Sequence, residues 1–271
     1  MGLDPRLDQL PELAATTSTG RVEAFCCDIC TAVTPYAAAV KPQSAYFEAL
    51  APDGLACMWR VIRHARKLGL LVIVDAKRND IGSTAEAYAQ ACLGLHGEQT
   101  EPLADAVTVN PYLGADGVRP FAEAAANHGT GLYVLVKTSN ASSGDLQDLR
   151  LESGLAVYQH MADLVAEWGQ GLLGQSGYSS VGAVVGATYP EQLRELRERV
   201  PTVPFLVPGY GHQGATARDV AGGFDAAGLG ALVNSSRGII YAYQDRGLPF
   251  AEAAAQATEE MCVALNAALR P

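Results

Sequence analysis

The residues best suited to chemistry lie in the run Asp75-Ala76-Lys77-Arg78-Asn79-Asp80, which follows the apolar stretch Leu70 to Val74. Two carboxylates around an ammonium at the exit of an apolar strand can move protons and stabilise charge that develops during a reaction. The competing reading is a solvated salt-bridge patch at a strand exit. Side chains alternate along a strand, so Ile73, Asp75 and Lys77 are expected on one face and Val72, Val74 and Ala76 on the other. Asp80 and Thr84 follow four residues apart, as if on one face of the next helical turn.

Elements that could position these groups recur along the chain. Short apolar runs span Tyr36 to Val40, Leu70 to Lys77, Ala106 to Asn110, Gly131 to Thr138, Val181 to Thr188, Val203 to Gly209 and Ala231 to Ser236. Helical patterns separate several of them, at Asp53 to Leu68, Ala115 to Asn127, Leu155 to Trp168 and Pro190 to Glu198. Continuously apolar strands alternating with helices indicate a parallel sheet covered on its faces. Seven such strands in 271 residues predict one α/β domain over residues 1–271, a (β/α)8 TIM barrel. An eighth strand has only Met1 to Leu3 ahead of Asp4, so the first strand is expected to be short or missing. Barrel chemistry collects at the carboxyl ends of the strands, which is where Asp75 and Lys77 fall.

The pattern Asp-x-Lys-x-x-Asp-Ile-x-x-Thr, from Asp75 to Thr84, resembles the signature of orotidine 5′-phosphate decarboxylases. Further stretches are similar to the long bacterial form of that family, in order and over nearly the whole chain. They are GLDPR (Gly2 to Arg6), KPQSAYFE (Lys41 to Glu48), TVNPYLG (Thr108 to Gly114), VKTSN (Val136 to Asn140), VVGATYPE (Val184 to Glu191), PGYGHQG (Pro208 to Gly214) and NSSRGIIYA (Asn234 to Ala242). The resemblance implies a cytoplasmic, cofactor-free lyase of pyrimidine biosynthesis that converts orotidine 5′-phosphate into uridine 5′-phosphate and CO2.

It also implies roles for single residues. Asp4 and Lys41 hold the ribose hydroxyls, with Lys41 also tied to Asp75. Asp75 stands beside the substrate carboxylate, and Lys77 donates the proton. Asp80 and Thr84 reach into the site of a neighbouring subunit, which makes the active form a homodimer. Ser139 bonds the pyrimidine edge, while Gln213 and Arg237 take the phosphate. Plainer readings stand beside these: Ser139 as a loop cap, Lys41 as a snorkelling rim residue, Thr84 as surface. The polar stretch Asn140 to Gln147 is a candidate lid.

Gly209-Tyr210-Gly211-His212-Gln213-Gly214 spells a dinucleotide fingerprint, yet it follows the penultimate strand rather than opening a βαβ series. A backbone cradle for a phosphate fits that position, with an amide at Gln213 and a bidentate cation at Arg237 after the last strand. A related barrel enzyme acting on sugar phosphates would share Asp-x-Lys-x-x-Asp and use the acids to hold magnesium. Lys41 in its motif and Ser139 in VKTSN favour the nucleotide enzyme.

The remaining composition excludes more than it assigns. A net charge of −10 argues against a nucleic-acid partner, though a few convergent cations can still bind an anionic small molecule. No apolar run is long enough to span a bilayer, and MGLDPRLDQLPE lacks a signal-peptide pattern. Cys26, Cys27 and Cys30 invite a zinc reading, but no second Cys/His pair lies at matching spacing, so no metal is expected. The six cysteines read instead as small buried hydrophobes.

Overall fold

The computed structural model describes residues 1–97, 101–211 and 214–270. Eight parallel strands follow the chain order: β1 (Gly2–Leu3), β2 (Ala39–Pro42), β3 (Leu71–Arg78), β4 (Ala106–Val109), β5 (Gly131–Lys137), β6 (Val181–Val185), β7 (Phe205–Pro208) and β8 (Ala231–Asn234). Helices alternate with them, which is the (β/α)8 class. The apolar runs become strands because both faces are covered: every residue of β4 and β6 is buried.

By contacts the described chain forms two compact units. The first comprises Met1–Ala76, Leu103–Asp105 and Ser235–Ala267. Here β1 is a stub that nonetheless pairs on both sides. The Lys41 and Gln43 amides donate to the Met1 and Leu3 carbonyls at 2.8 and 3.0 Å, and the Gly2 amide donates to the Ser235 carbonyl at 2.9 Å. Two residues suffice because hydrogen bonds fasten them on both sides.

Helices that the spacing did not mark add to this unit, among them Ser18–Val33 and most of Phe250–Leu269. Thr17 caps the first, its hydroxyl oxygen accepting from the Gly20 amide. That helix buries Val22, Phe25, Cys26, Ile29, Cys30 and Val33, an i, i+3, i+4, i+7 stripe, and it packs on the helix Pro52–Lys67. Phe25 lies against the rings of Tyr241 and Phe250. Cys26, Cys30, Cys57 and Cys92 are buried, and no group of three or more His, Cys, Asp or Glu among the described residues is arranged to hold a metal ion.

The second unit comprises Lys77–Pro102, Ala106–Asn234 and Ala268–Pro271. It carries β4 to β8 and the helices Gly82–Leu93, Ala115–His128, Val157–Trp168 and Pro190–Arg199. Buried Arg197 ties its parts together. Its guanidinium donates to the carbonyls of Gly223, Val200, Pro201, Val203 and Gly230, and it stacks 3.8 Å from the Phe205 ring centre. All five donors are satisfied without a carboxylate, which explains how a buried cation is tolerated there.

Candidate active site

In the first unit, Val72, Ile73 and Val74 anchor β3 in the core and deliver Asp75 near its carboxyl end, 6% exposed. Lys41, from the neighbouring strand β2, places Nζ 2.6 Å from Asp75 Oδ2. The Gln43 amide donates to the same oxygen at 3.0 Å. Gln43 is the member of this cluster that the motif reading gave no role. Its signal was present, because Lys41 and Gln43 stand two apart and two-apart residues share a face of an extended chain. Lys41 does not snorkel from a rim: it is buried and paired.

Asp4 directly follows β1. Its Oδ1 is buried and accepts no hydrogen bond, although its carbonyl accepts from the Tyr241 hydroxyl at 2.9 Å. A buried carboxylate oxygen without a donor is costly unless a ligand supplies one, and hydroxyl groups are such donors.

The second unit holds Lys77, where the alternation expected from strand periodicity breaks. Lys77 has a φ of +47°, and of the described non-glycine residues only it and Ala51 adopt positive φ. A left-handed residue does not continue the two-residue alternation, so Asp75 and Lys77 cannot be put on one face by counting. The Lys77 amide donates to Thr108 Oγ1 at 3.0 Å, and the Asn110 amide donates to the Arg78 carbonyl at 2.9 Å. The Lys77 side chain lies exposed beyond this fastened backbone.

Asp80 is half-buried and accepts from the Ile81 amide at 2.9 Å. The helix that follows is Gly82–Leu93 with an extended Ile81 as its cap. Asp80 therefore precedes the helix and does not share a helical face with Thr84, which is exposed.

Ser139 stands two residues beyond β5. Its backbone passes so close to Gly186 that a Cβ on Gly186 would lie 2.8 Å from both Ser139 N and Cα. Only glycine admits that approach. Thr188 adds a hydrogen bond from its hydroxyl to the Ser139 carbonyl at 3.3 Å. The residues after Ser139 form a 3-10 turn, Ala141–Ser143, and a single helical turn, Gly144–Gln147. Gln147 accepts from the Thr138 amide at 2.9 Å, and fully buried Lys137 reaches Asp148 Oδ1 at 2.7 Å. These bonds fasten the far end of the stretch expected as a lid to the end of β5.

Beyond β7, Gly209, Gly211 and Gly214 have φ of +104°, +76° and +95°, a backbone open only to glycine at little cost. Gln213 lies outside the described residues. Arg237 opens a short helix three residues after β8 and is exposed.

Asp4, Ser139, the glycine loop and Arg237 each lie just beyond the carboxyl end of a strand, while Lys41 and Asp75 lie in the carboxyl-terminal halves of theirs. A (β/α)8 chain with charged and polar groups on its strand carboxyl ends has the layout of a barrel enzyme. Comparison with known proteins gives the family. Residues 8–247 match the model of the orotidine 5′-phosphate decarboxylase / HUMPS family, and the chain belongs to it.

A relative named orotidine 5′-phosphate decarboxylase from Rhodopirellula baltica is 50% identical over 253 residues, 90% of this chain and 83% of its own. One of the same name from Deinococcus radiodurans is 45% identical over 270 residues, covering 99% and 92%. Among solved structures, Leishmania donovani OMP decarboxylase is 34% identical with a TM-score of 0.78, over 99% of this chain and 92% of that chain.

Proposed function

We propose that Lys41, Asp75, Lys77 and Asp80 carry the reaction in one barrel domain, and that Asp4, Lys41, Thr84, Ser139, Gln213 and Arg237 bind the substrate. The reaction is that of the family, decarboxylation of orotidine 5′-phosphate to uridine 5′-phosphate in pyrimidine biosynthesis. The observation that carries the residue assignment is the buried contact of Lys41 Nζ with Asp75 Oδ2, placed two residues before Lys77 on a strand end.

The chemical difficulty is a carbanion at C6 of the pyrimidine. Electrostatics supplied by the chain must stabilise it, without a cofactor. Asp75 stands beside the substrate carboxylate. Two like charges about 4 Å apart repel by roughly 4 kcal/mol at an effective dielectric near 20. Enzymes lower barriers by about 8–23 kcal/mol, so repulsion is the smaller share. The larger share falls to the Lys77 ammonium, which attracts the developing charge and then gives C6 its proton as CO2 leaves. Phosphate contacts far from C6 help by holding a closed, dry site around this charge.

Asp80 and Thr84 serve a neighbouring subunit in a homodimer. Their exposure or half-exposure on and before the helix Gly82–Leu93 leaves them available for that. The enzyme works in the cytoplasm; no helix among the described residues is long and apolar enough to cross a membrane.

The deciding experiment is incubation of the pure protein with orotidine 5′-phosphate, following pyrimidine absorbance with and without a chelator, for the native chain and Lys77→Ala. Native turnover indifferent to chelator and no turnover in Lys77→Ala, with uridine 5′-phosphate still bound, is the expected result. Near-native turnover in Lys77→Ala removes Lys77 as proton donor. Shared sites have their own test. Mixing inactive Lys77→Ala and Asp80→Ala chains regenerates activity if Asp80 acts across the interface, and none if it acts within its own chain.

A further inference from the structure

We propose that Thr108 is a positioning residue for the decarboxylation, holding Lys77 in its left-handed backbone conformation so that the ammonium points where the proton is needed. The proposal rests on the reading of Lys77 as proton donor.

A φ of +47° is disfavoured for any residue with a Cβ, and a lysine has no local hydrogen-bonding side chain to compensate, as asparagine or aspartate would. Something outside the segment must hold it. The chain pegs the backbone on both sides of the strained torsions. Ahead of them, the Lys77 amide donates to Thr108 Oγ1 at 3.0 Å. Beyond them, the Arg78 carbonyl accepts from the Asn110 amide at 2.9 Å. Both pegs belong to β4 and the residue just after it.

Thr108 is unusual in its own strand. Its neighbours Ala106, Val107 and Val109 are apolar and buried, yet this position, 1% exposed, carries a hydroxyl. Valine would fill the same volume and suit the strand equally well. The oxygen is what distinguishes threonine there, and one of its partners is the peptide of Lys77. A β-branched residue has few χ1 choices, so the backbone of β4 fixes where Oγ1 stands. Relaxing Lys77 to an extended conformation would swing its Cα–Cβ bond to the other face and carry the ammonium away. Misplacement of a reacting group by about 1 Å can cost on the order of 100-fold in rate.

The test compares Thr108→Val, which keeps the shape and removes the oxygen, with Thr108→Ser, which keeps the oxygen. Thr108→Val is expected to lose about 10- to 100-fold in kcat, with KM and uridine 5′-phosphate affinity within about twofold of native. Thr108→Ser is expected within about threefold of native kcat. A native kcat in Thr108→Val overturns the proposal. So does a Thr108→Ser loss as large as that of Thr108→Val, or nucleotide affinity falling in step with kcat. If circular dichroism shows Thr108→Val unfolded, Thr108→Ala carries the same comparison without a second methyl. Lys77→Ala run alongside separates two failures: if it keeps turnover, the proton-donor reading falls, and if it is dead while Thr108→Val is native, only the Thr108 role falls.

Discussion

Lys41 Nζ lies 2.6 Å from Asp75 Oδ2, and their side chains are only 7% and 8% exposed. A buried ion pair is not in itself stabilising, because desolvating two charges offsets most of their attraction. Removing one partner, however, strands the other charge in the interior. On the proposed function, the fold carries this pair for the sake of chemistry.

Lys41→Met is expected to destabilise the protein by roughly 3 kcal/mol, read from urea unfolding, because it breaks a buried ion pair by removing one partner. The double variant Lys41→Met/Asp75→Leu is expected to recover most of that stability and none of the turnover. A single variant as stable as the native chain would show that the contact does not matter to the fold.

Gly186→Ala tests the seating of Ser139. A methyl there would meet the Ser139 backbone at 2.8 Å, and backbone cannot yield as a flexible side chain can. The expected result is a KM for orotidine 5′-phosphate raised about tenfold, together with a stability loss of about 1–3 kcal/mol. An unchanged KM would disconnect Ser139 from the substrate.

Arg237→Ala should discriminate between ligands. Losing hydrogen bonds from a charged donor costs about 1.5–3 kcal/mol, or roughly 10- to 100-fold in binding. Calorimetry is expected to show that loss for uridine 5′-phosphate and almost none for uridine. Equal weakening of both would take Arg237 out of the phosphate site.

The thiols give a pH prediction. Burial pushes Cys27 and Cys57 up to about 11 and Cys30 up to about 12. At pH 8 a thiol at 11 is thiolate in about one molecule in a thousand, so the folded protein should react with a thiol reagent far more slowly than the unfolded one. The same burial sets a slope. Unfolded thiols lose their protons near pH 8.5, while folded ones keep theirs to about 11 or beyond. The native state then binds more protons, and stability should fall as pH rises between those values. Tyr133, raised by burial to about 12, acts in the same direction. A urea midpoint that is flat from pH 8 to above 10 would contradict this.

Much of this protein could be read before folding it. Apolar runs and 3.6-residue stripes report burial, and burial follows from side-chain chemistry, so seven strands and four helices could be placed to within a few residues. The ordered motifs did the same for the family, because residues that meet one ligand keep their types and spacing. One helix that the spacing does not mark is a weak signal for a reason. Phe250–Leu269 is rich in alanine, and its buried residues include Ala253, Ala254 and Ala257, so its stripe has little hydrophobic contrast.

What only the tertiary structure decided concerns single torsions and single contacts. Counting by twos along β3 put Lys77 beside Asp75, yet a hydroxyl 31 residues away meets the Lys77 amide where the backbone turns left-handed. Gln43 joins Asp75 because Gln43 and Asp75 form a bridge between neighbouring segments. A two-residue β1 survives because Lys41, Gln43 and Ser235 supply its hydrogen bonds. Periodicity is a property of neighbours along the chain. The backbone of Lys77 instead meets neighbours in space, and those exist only once the strands have paired.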